Sequence, residues 1–263
     1  MPNTEHPSPI ERFRHKMHAG QICIGASITF TDPLVTDALG DAVDFFWIDL
    51  EHCLMSFEAL HGHFLAAARR GVPALVRVSG SDTPFIKPVL DAGADGIIAP
   101  QVRSADEVRR IVRDCRYPPL GQRGYGPRVP SNYGRDGDAD FVARANRDLF
   151  VAVQIETVEA FAELDEIVTV QGLDSLVLGP WDLSGSLGVL GQVEHPTVVE
   201  AIKTTIAKAR AANLFVGSGM GADGRYAAVM ARRGVQWLQV GADYAYLVNF
   251  MGQLTTHLRD SIG

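Results

Sequence analysis

Residues 150–188 read FVAVQIETVEAFAELDEIVTVQGLDSLVLGPWDLSGSLG. Two apolar runs, Phe150–Ile155 and Ser175–Leu178, frame a stretch of helical pattern, and a carboxylate follows each: Glu156 after the first, Asp182 shortly after the second. The two acids are 26 residues apart. That spacing fits one strand–helix–strand repeat, because buried parallel strands read as near-continuous Val/Ile/Leu runs joined by crossover helices. Glu156 and Asp182 then emerge side by side at the C-terminal ends of adjacent strands, the rim that carries the chemistry in such folds. Neighbouring carboxylates repel unless a positive charge lies between them, and a hard divalent cation is the usual answer. Either acid alone is equally well read as a solvated loop residue or a helix cap.

The same beat extends in both directions. Further strands are predicted over residues 21–27, 45–50, 74–78, Gly96–Ala99, 214–217 and 237–240. Helices fall between them. Ser56 caps one with Phe57, Leu60, Phe64 and Ala67 on its apolar face, and Ser104 and Glu107 frame a capping box for another. Eight strands alternating with helices predict a (β/α)₈ TIM barrel spanning residues 1–263 as one domain, behind a disordered polar lead over residues 1–9. The alternative, a doubly wound sheet, usually carries G-x-G-x-x-G after its first strand, and CIGASITF lacks it. The beat breaks once, at residues 117–140, YPPLGQRGYGPRVPSNYGRDGDAD. So long a Gly/Pro-rich segment in a compact domain is expected over the site or at a subunit contact.

Composition narrows the partners. A chain of 263 residues matches one barrel, and 46% hydrophobic with 21% charged residues is an ordinary globular balance. A net charge of −7 argues against nucleic acid or an anionic membrane, both of which need a basic face. Cys23, Cys53 and Cys115 include no C-x-x-C and make no disulfide framework. No signal peptide and no apolar run of about 18 residues is present, which predicts a cytoplasmic protein without a membrane span.

Several polar groups converge on the predicted rim. Asp49 and His52 follow the second strand and Arg77 ends the third. Gln154 lies two residues before Glu156, on the same strand face. Such a set suits a small 2-oxo acid: a cation acts as Lewis acid on the carbonyl, Arg77 stabilises charge growing on that oxygen, and His52 moves the proton. Asp91 sits late in a helix, before Gly93, where an acid opposes the helix dipole and calls for a partner.

The segments FFWIDLEH (45–52), FIKPVLDAGADGIIAPQV (85–102), RYPPLGQRGYG (116–126), VQIET (153–157) and GPWDLSGSLG (179–188) resemble the HpcH/HpaI aldolase family. These are metal-dependent (class II) pyruvate aldolases of the 4-hydroxy-2-oxoheptanedioate and 2-keto-3-deoxy-rhamnonate type, with a (β/α)₈ barrel and, usually, a hexamer in which the last helix packs on a neighbouring subunit. The resemblance implies His52 as general base, Asp91 as the group that raises its basicity, and Arg77 as enolate stabiliser. It implies Glu156 and Asp182 as metal ligands for Mg²⁺, Mn²⁺ or Co²⁺, with no organic cofactor. Gln154 and the backbone at Trp181 and Asp182 are implied as substrate contacts, for a small 2-oxo acid and an aldehyde. The chain departs from the family pattern at Leu50, where many members have Gly, and at Trp181, where they have a small residue. Two rival readings are a carbon–carbon lyase acting on a CoA thioester, with Arg123, Arg128 and Arg135 holding the nucleotide phosphates, and a non-catalytic ligand-binding barrel.

Overall fold

Eight parallel strands close into a barrel in chain order, with the eighth pairing back on the first. They are β1 (Cys23–Ile28), β2 (Phe45–Asp49), β3 (Ala74–Arg77), β4 (Gly96–Ala99), β5 (Phe150–Ile155), β6 (Ser175–Leu178), β7 (Phe215–Met220) and β8 (Trp237–Ala242). The computed structural model describes residues 7–137 and 139–263. Its helices are α1 (Pro9–His18), α2 (Leu34–Leu39), α3 (Phe57–Arg70), α4 (Thr83–Ala92), α5 (Ala105–Cys115), α6 (Ala139–Asp148), α7 (Val158–Ala162), α8 (Leu164–Ile167), α9 (Pro180–Ser186), α10 (Pro196–Ala211), α11 (Gly224–Arg233) and α12 (Asp243–Ile262). The polar lead expected over residues 1–9 lies mostly outside the described residues. Ser8 caps α1 in a capping box with Glu11.

Strand side chains alternate between two cores. Ile48, Val76, Ile97, Val151 and Val153 point outward and pack against the helices. Phe45, Trp47, Leu75, Ile98, Phe150, Phe215 and Trp237 fill the barrel interior. Helix α1 adds Ile10, Phe13 and Met17 to that interior. The Phe13 ring meets those of Phe45, Phe150 and Trp237 at 5.3, 5.5 and 6.1 Å. All three partners are the first residues of their strands, so α1 plugs the N-terminal end of the barrel. Gly217 leaves the room that the Trp237 indole occupies: a Cβ there would lie 2.1 Å from the ring. Phe13→Ala is expected to open a cavity costing about 3–5 kcal/mol, seen as a lower urea midpoint. An unchanged midpoint would show that the plug is dispensable.

The 117–137 segment does not cover the rim of its own chain. The Gln122 amide donates to the Arg113 carbonyl (2.8 Å) at the end of α5, and Arg123 Nη2 donates to Asp91 Oδ1 (2.9 Å) at the end of α4. The reason is topological. The segment leaves the C-terminus of α5 and leads to the start of β5, both at the N-terminal end of the barrel. The irregular stretch expected over residues 117–140 is shorter than that, since α6 begins at Ala139.

Candidate active site

The rim is built first by register. Asp49 and Arg77 end β2 and β3 as paired residues. Arg77 Nε donates to Asp49 Oδ1 (2.9 Å) and Nη2 to Oδ2 (2.7 Å), a two-point clamp in which Asp49 is buried. Arg77 Nη1 lies 3.0 Å from Glu51 Oε2, and the guanidinium sits 5.4 Å from the Trp47 ring centroid. Burial opposes the charge of Arg77, yet its bonds to Asp49 and the nearby Glu51 hold its pKa above the ordinary value. Burial pushes the Glu51 carboxyl up, against the pull of Arg77 and His52. His52 follows in the same loop, with Nε2 3.6 Å from Glu51 Oε2 and most of its ring in solvent. His52, Arg77 and Asp49 line one cleft of about 620 Å³ with Met220, Gly221 and Tyr244.

Glu156, one residue beyond β5, is 2% exposed. Its Oε1 accepts the Gln101 amide (2.8 Å), and its Oε2 accepts Gln154 Nε2 (2.6 Å). Gln101 pays for that contact with a left-handed backbone, φ +54°, uncommon outside glycine. Gly179 makes the room, since a Cβ there would stand 2.4 Å from Glu156 Oε2. Burial pushes the Glu156 carboxyl up to about 7; the Gln101 amide pulls it down, and the negative charges of Asp182 and Glu51 add to the rise. Asp182 lies exposed in the first turn of α9. Pro180 at the start of that helix has no N–H, so Trp181 and Asp182 carry its first free backbone donors.

This donor set fits a hard divalent cation. It is all oxygen: Glu156, Asp182 and the Gln154 Oε1, which is buried without a hydrogen-bond partner among the described residues. A carboxyl pushed up by burial, and further by neighbouring negative charge, is stabilised in its ionised form by a cation. No cluster of three His, Cys, Asp or Glu that could hold a metal occurs among the described residues, so water and substrate oxygens must complete the shell.

Six of the seven residues singled out from sequence thus meet at one rim: His52, Arg77, Gln154, Glu156, Trp181 and Asp182. Asp91 does not join them within the chain. It lies near the C-terminus of α4, at the N-terminal end of the barrel, bonded to Arg123. Sequence reading placed Asp49 on the rim but missed its grip on Arg77, which only the register reveals. It also missed Gln101 and Gly179. Both adjoin prolines just past strand ends, the one signal available.

A family model described as HpcH/HpaI aldolase/citrate lyase matches residues 29–249, and the chain belongs to that family. It is 32% identical over 247 residues to a hydroxypyruvate/pyruvate aldolase of Pseudomonas aeruginosa, covering 94% of this chain and 92% of that protein. It is 35% identical over 208 residues to a 2-keto-3-deoxy-L-rhamnonate aldolase of Escherichia coli O157:H7, covering 78% and 77%. Among solved structures it superposes on an HpcH/HpaI aldolase from Desulfitobacterium hafniense with a TM-score of 0.86 at 32% identity, covering 94% and 96%.

Proposed function

We propose that this protein is a class II aldolase that reversibly cleaves 4-hydroxy-2-oxo acids to pyruvate, or a close 2-oxo acid, and an aldehyde. The observation that carries the reading is the clamped Arg77 beside the buried Glu156 and its neighbour Asp182, within a family whose relatives are named as aldolases. Glu156 and Asp182 would hold a cation of the Mg²⁺, Mn²⁺ or Co²⁺ kind, which would supply Lewis-acid polarisation of the 2-oxo carbonyl. The substrate carboxylate takes the free N–H donors of Trp181 and Asp182. Arg77, fixed by Asp49, stabilises the charge that grows on the 2-oxo oxygen as the C3–C4 bond breaks. His52 removes the proton of the 4-hydroxyl in cleavage and returns it to the enolate carbon; in the addition direction it removes the methyl proton of pyruvate and delivers it to the aldehyde oxygen.

His52→Ala is expected to lower turnover by ~10²–10⁴-fold while pyruvate binding persists. Exchange of pyruvate methyl protons in deuterated water, followed by NMR, reads the step directly. Exchange as fast as in the parent protein would transfer the base role to Glu51. Within one chain Asp91 cannot act on His52, so that role requires a second copy. Helix α12 supports an assembly, because Tyr244, Leu247, Val248, Phe250, Met251 and Leu258 are exposed along it. A homo-hexamer is the form we propose, and a monomeric mass by sedimentation at micromolar concentration would refute it.

The CoA-thioester alternative loses its support. Arg123, Arg128 and Arg135 belong to the segment at the other end of the barrel, and Arg123 is buried against Asp91. Among the described residues no helix is long and apolar enough to cross a membrane.

A further inference from the structure

A second cleft, of about 650 Å³, opens on the same rim between the loop that follows α9 and the start of α11. Its inner wall is Trp181. That indole is 60% exposed and lies over Gly191, where a Cβ would stand 3.2 Å from the ring. Met220 and Gly221 line both this cleft and the one that holds His52 and Arg77. A ligand with its reacting end at Arg77 therefore has a continuous path over that ridge. Of the residues lining this second cleft, the steps above use only the backbone N–H of Trp181.

The groups in the cleft define what it takes. Arg225 and Glu194 are exposed, and neither side chain makes a hydrogen bond or ion pair among the described residues. Tyr226 presents a buried hydroxyl with no partner among the described residues. The Asp223 carboxylate accepts the Arg225 and Tyr226 amides as the cap of α11. One guanidinium faces two carboxylates, so the cleft has no surplus positive charge to favour a carboxylate or phosphate tail. It does have an open aromatic face flanked by unengaged donors and acceptors of both kinds. That combination suits a neutral carbon chain bearing hydroxyl groups, whose C–H face packs on the indole while its hydroxyls pair with the exposed Glu194 and Arg225.

We propose that this cleft is the subsite for the distal, hydroxylated part of the aldehyde. The inference rests on the aldolase reading, and makes the preferred aldehyde a polyhydroxylated one rather than a short or an anionic one. The test is aldol addition of pyruvate, with Mn²⁺ present, to glycolaldehyde, D-erythrose and succinate semialdehyde. The parent protein is expected to show the highest kcat/KM for erythrose. The erythrose-to-glycolaldehyde ratio is expected to fall by ~10-fold in Glu194→Gln and in Arg225→Ala, as befits loss of one hydrogen bond to a charged group. Both positions are on the surface, so folding is not at stake. A ratio unchanged in both variants, or a parent preference for succinate semialdehyde, overturns the subsite. Metal-dependent exchange of pyruvate methyl protons by the parent protein separates the two claims. Exchange with an unchanged ratio refutes the subsite alone, and absence of exchange refutes the aldolase reading and the subsite with it.

Discussion

Glu156→Ala is expected to abolish turnover, by ~10³-fold or more, because several kcal/mol of Lewis-acid assistance go with the cation. Excess metal should not restore the rate. The side chain is held by Gln101 and Gln154 and gives no support to the core, so the variant should fold. The pH dependence is specific. In the folded protein the Glu156 carboxyl lies at about 7, raised from 4.5 chiefly by burial. A raised carboxyl favours the protonated form of the native state. Its contribution to stability without metal is therefore full below pH 4.5 and lost as pH rises through about 7. A cation competes with that proton, so affinity should weaken about tenfold per pH unit below pH 7 and level off above it. Titration calorimetry with Mn²⁺ across this range, in parent and variant, measures both effects. Equal Mn²⁺ affinity in parent and Glu156→Ala would remove Glu156 from the metal site.

Arg77→Ala is expected to cost ~10²–10³-fold in kcat, the scale of losing one positioned stabiliser of a developing oxyanion. It also strands Asp49, a buried carboxylate whose two oxygens are now filled by the guanidinium. Breaking a buried pair from one side costs about 3–5 kcal/mol, so the urea midpoint should fall as well. The two losses can be separated. In the double variant Arg77→Ala/Asp49→Ala no charge is stranded, and stability should recover while the rate does not. Arg77→Lys keeps the charge but cannot span both oxygens of Asp49, and should recover only part of the rate. A double variant with restored turnover would show that Arg77 acts only as a structural partner of Asp49.

The barrel was legible because its signals are local. Each strand is a short Val/Ile/Leu/Phe run, and Gly96–Ala99, Phe150–Ile155 and Ser175–Leu178 fall where the sequence places them. Helix starts are written in single residues, as with Ser56 and Ser104, whose hydroxyls accept the Ala59 and Glu107 amides. Glu156, Asp182 and Arg77 were legible for the same reason, because a residue just past a parallel strand must stand on the rim. Even the placing of the 117–137 segment was implicit, since any helix-to-strand connection lies at the N-terminal end. Reading its composition without its place in the chain put it over the site or at a subunit contact, and within the chain it does not lie over the site.

Other features depend on contacts between residues distant in the chain. The Asp49–Arg77 clamp depends on how β2 and β3 are offset, and no pattern within either strand encodes that offset. The left-handed turn at Gln101 exists because a carboxylate 55 residues later needs its amide. The raised Glu156 carboxyl follows from burial that only closure of the barrel creates. Asp91 is the plainest case. Its motif marks it for the site, while α4 runs back along the barrel and carries it to the opposite end, where Arg123 holds it. Sequence by itself therefore determined the elements, their order and the residues at strand ends, because propensity and periodicity act over a few residues. Tertiary structure alone decided register, burial and which charges meet, because those arise only when strands distant in the chain are brought side by side.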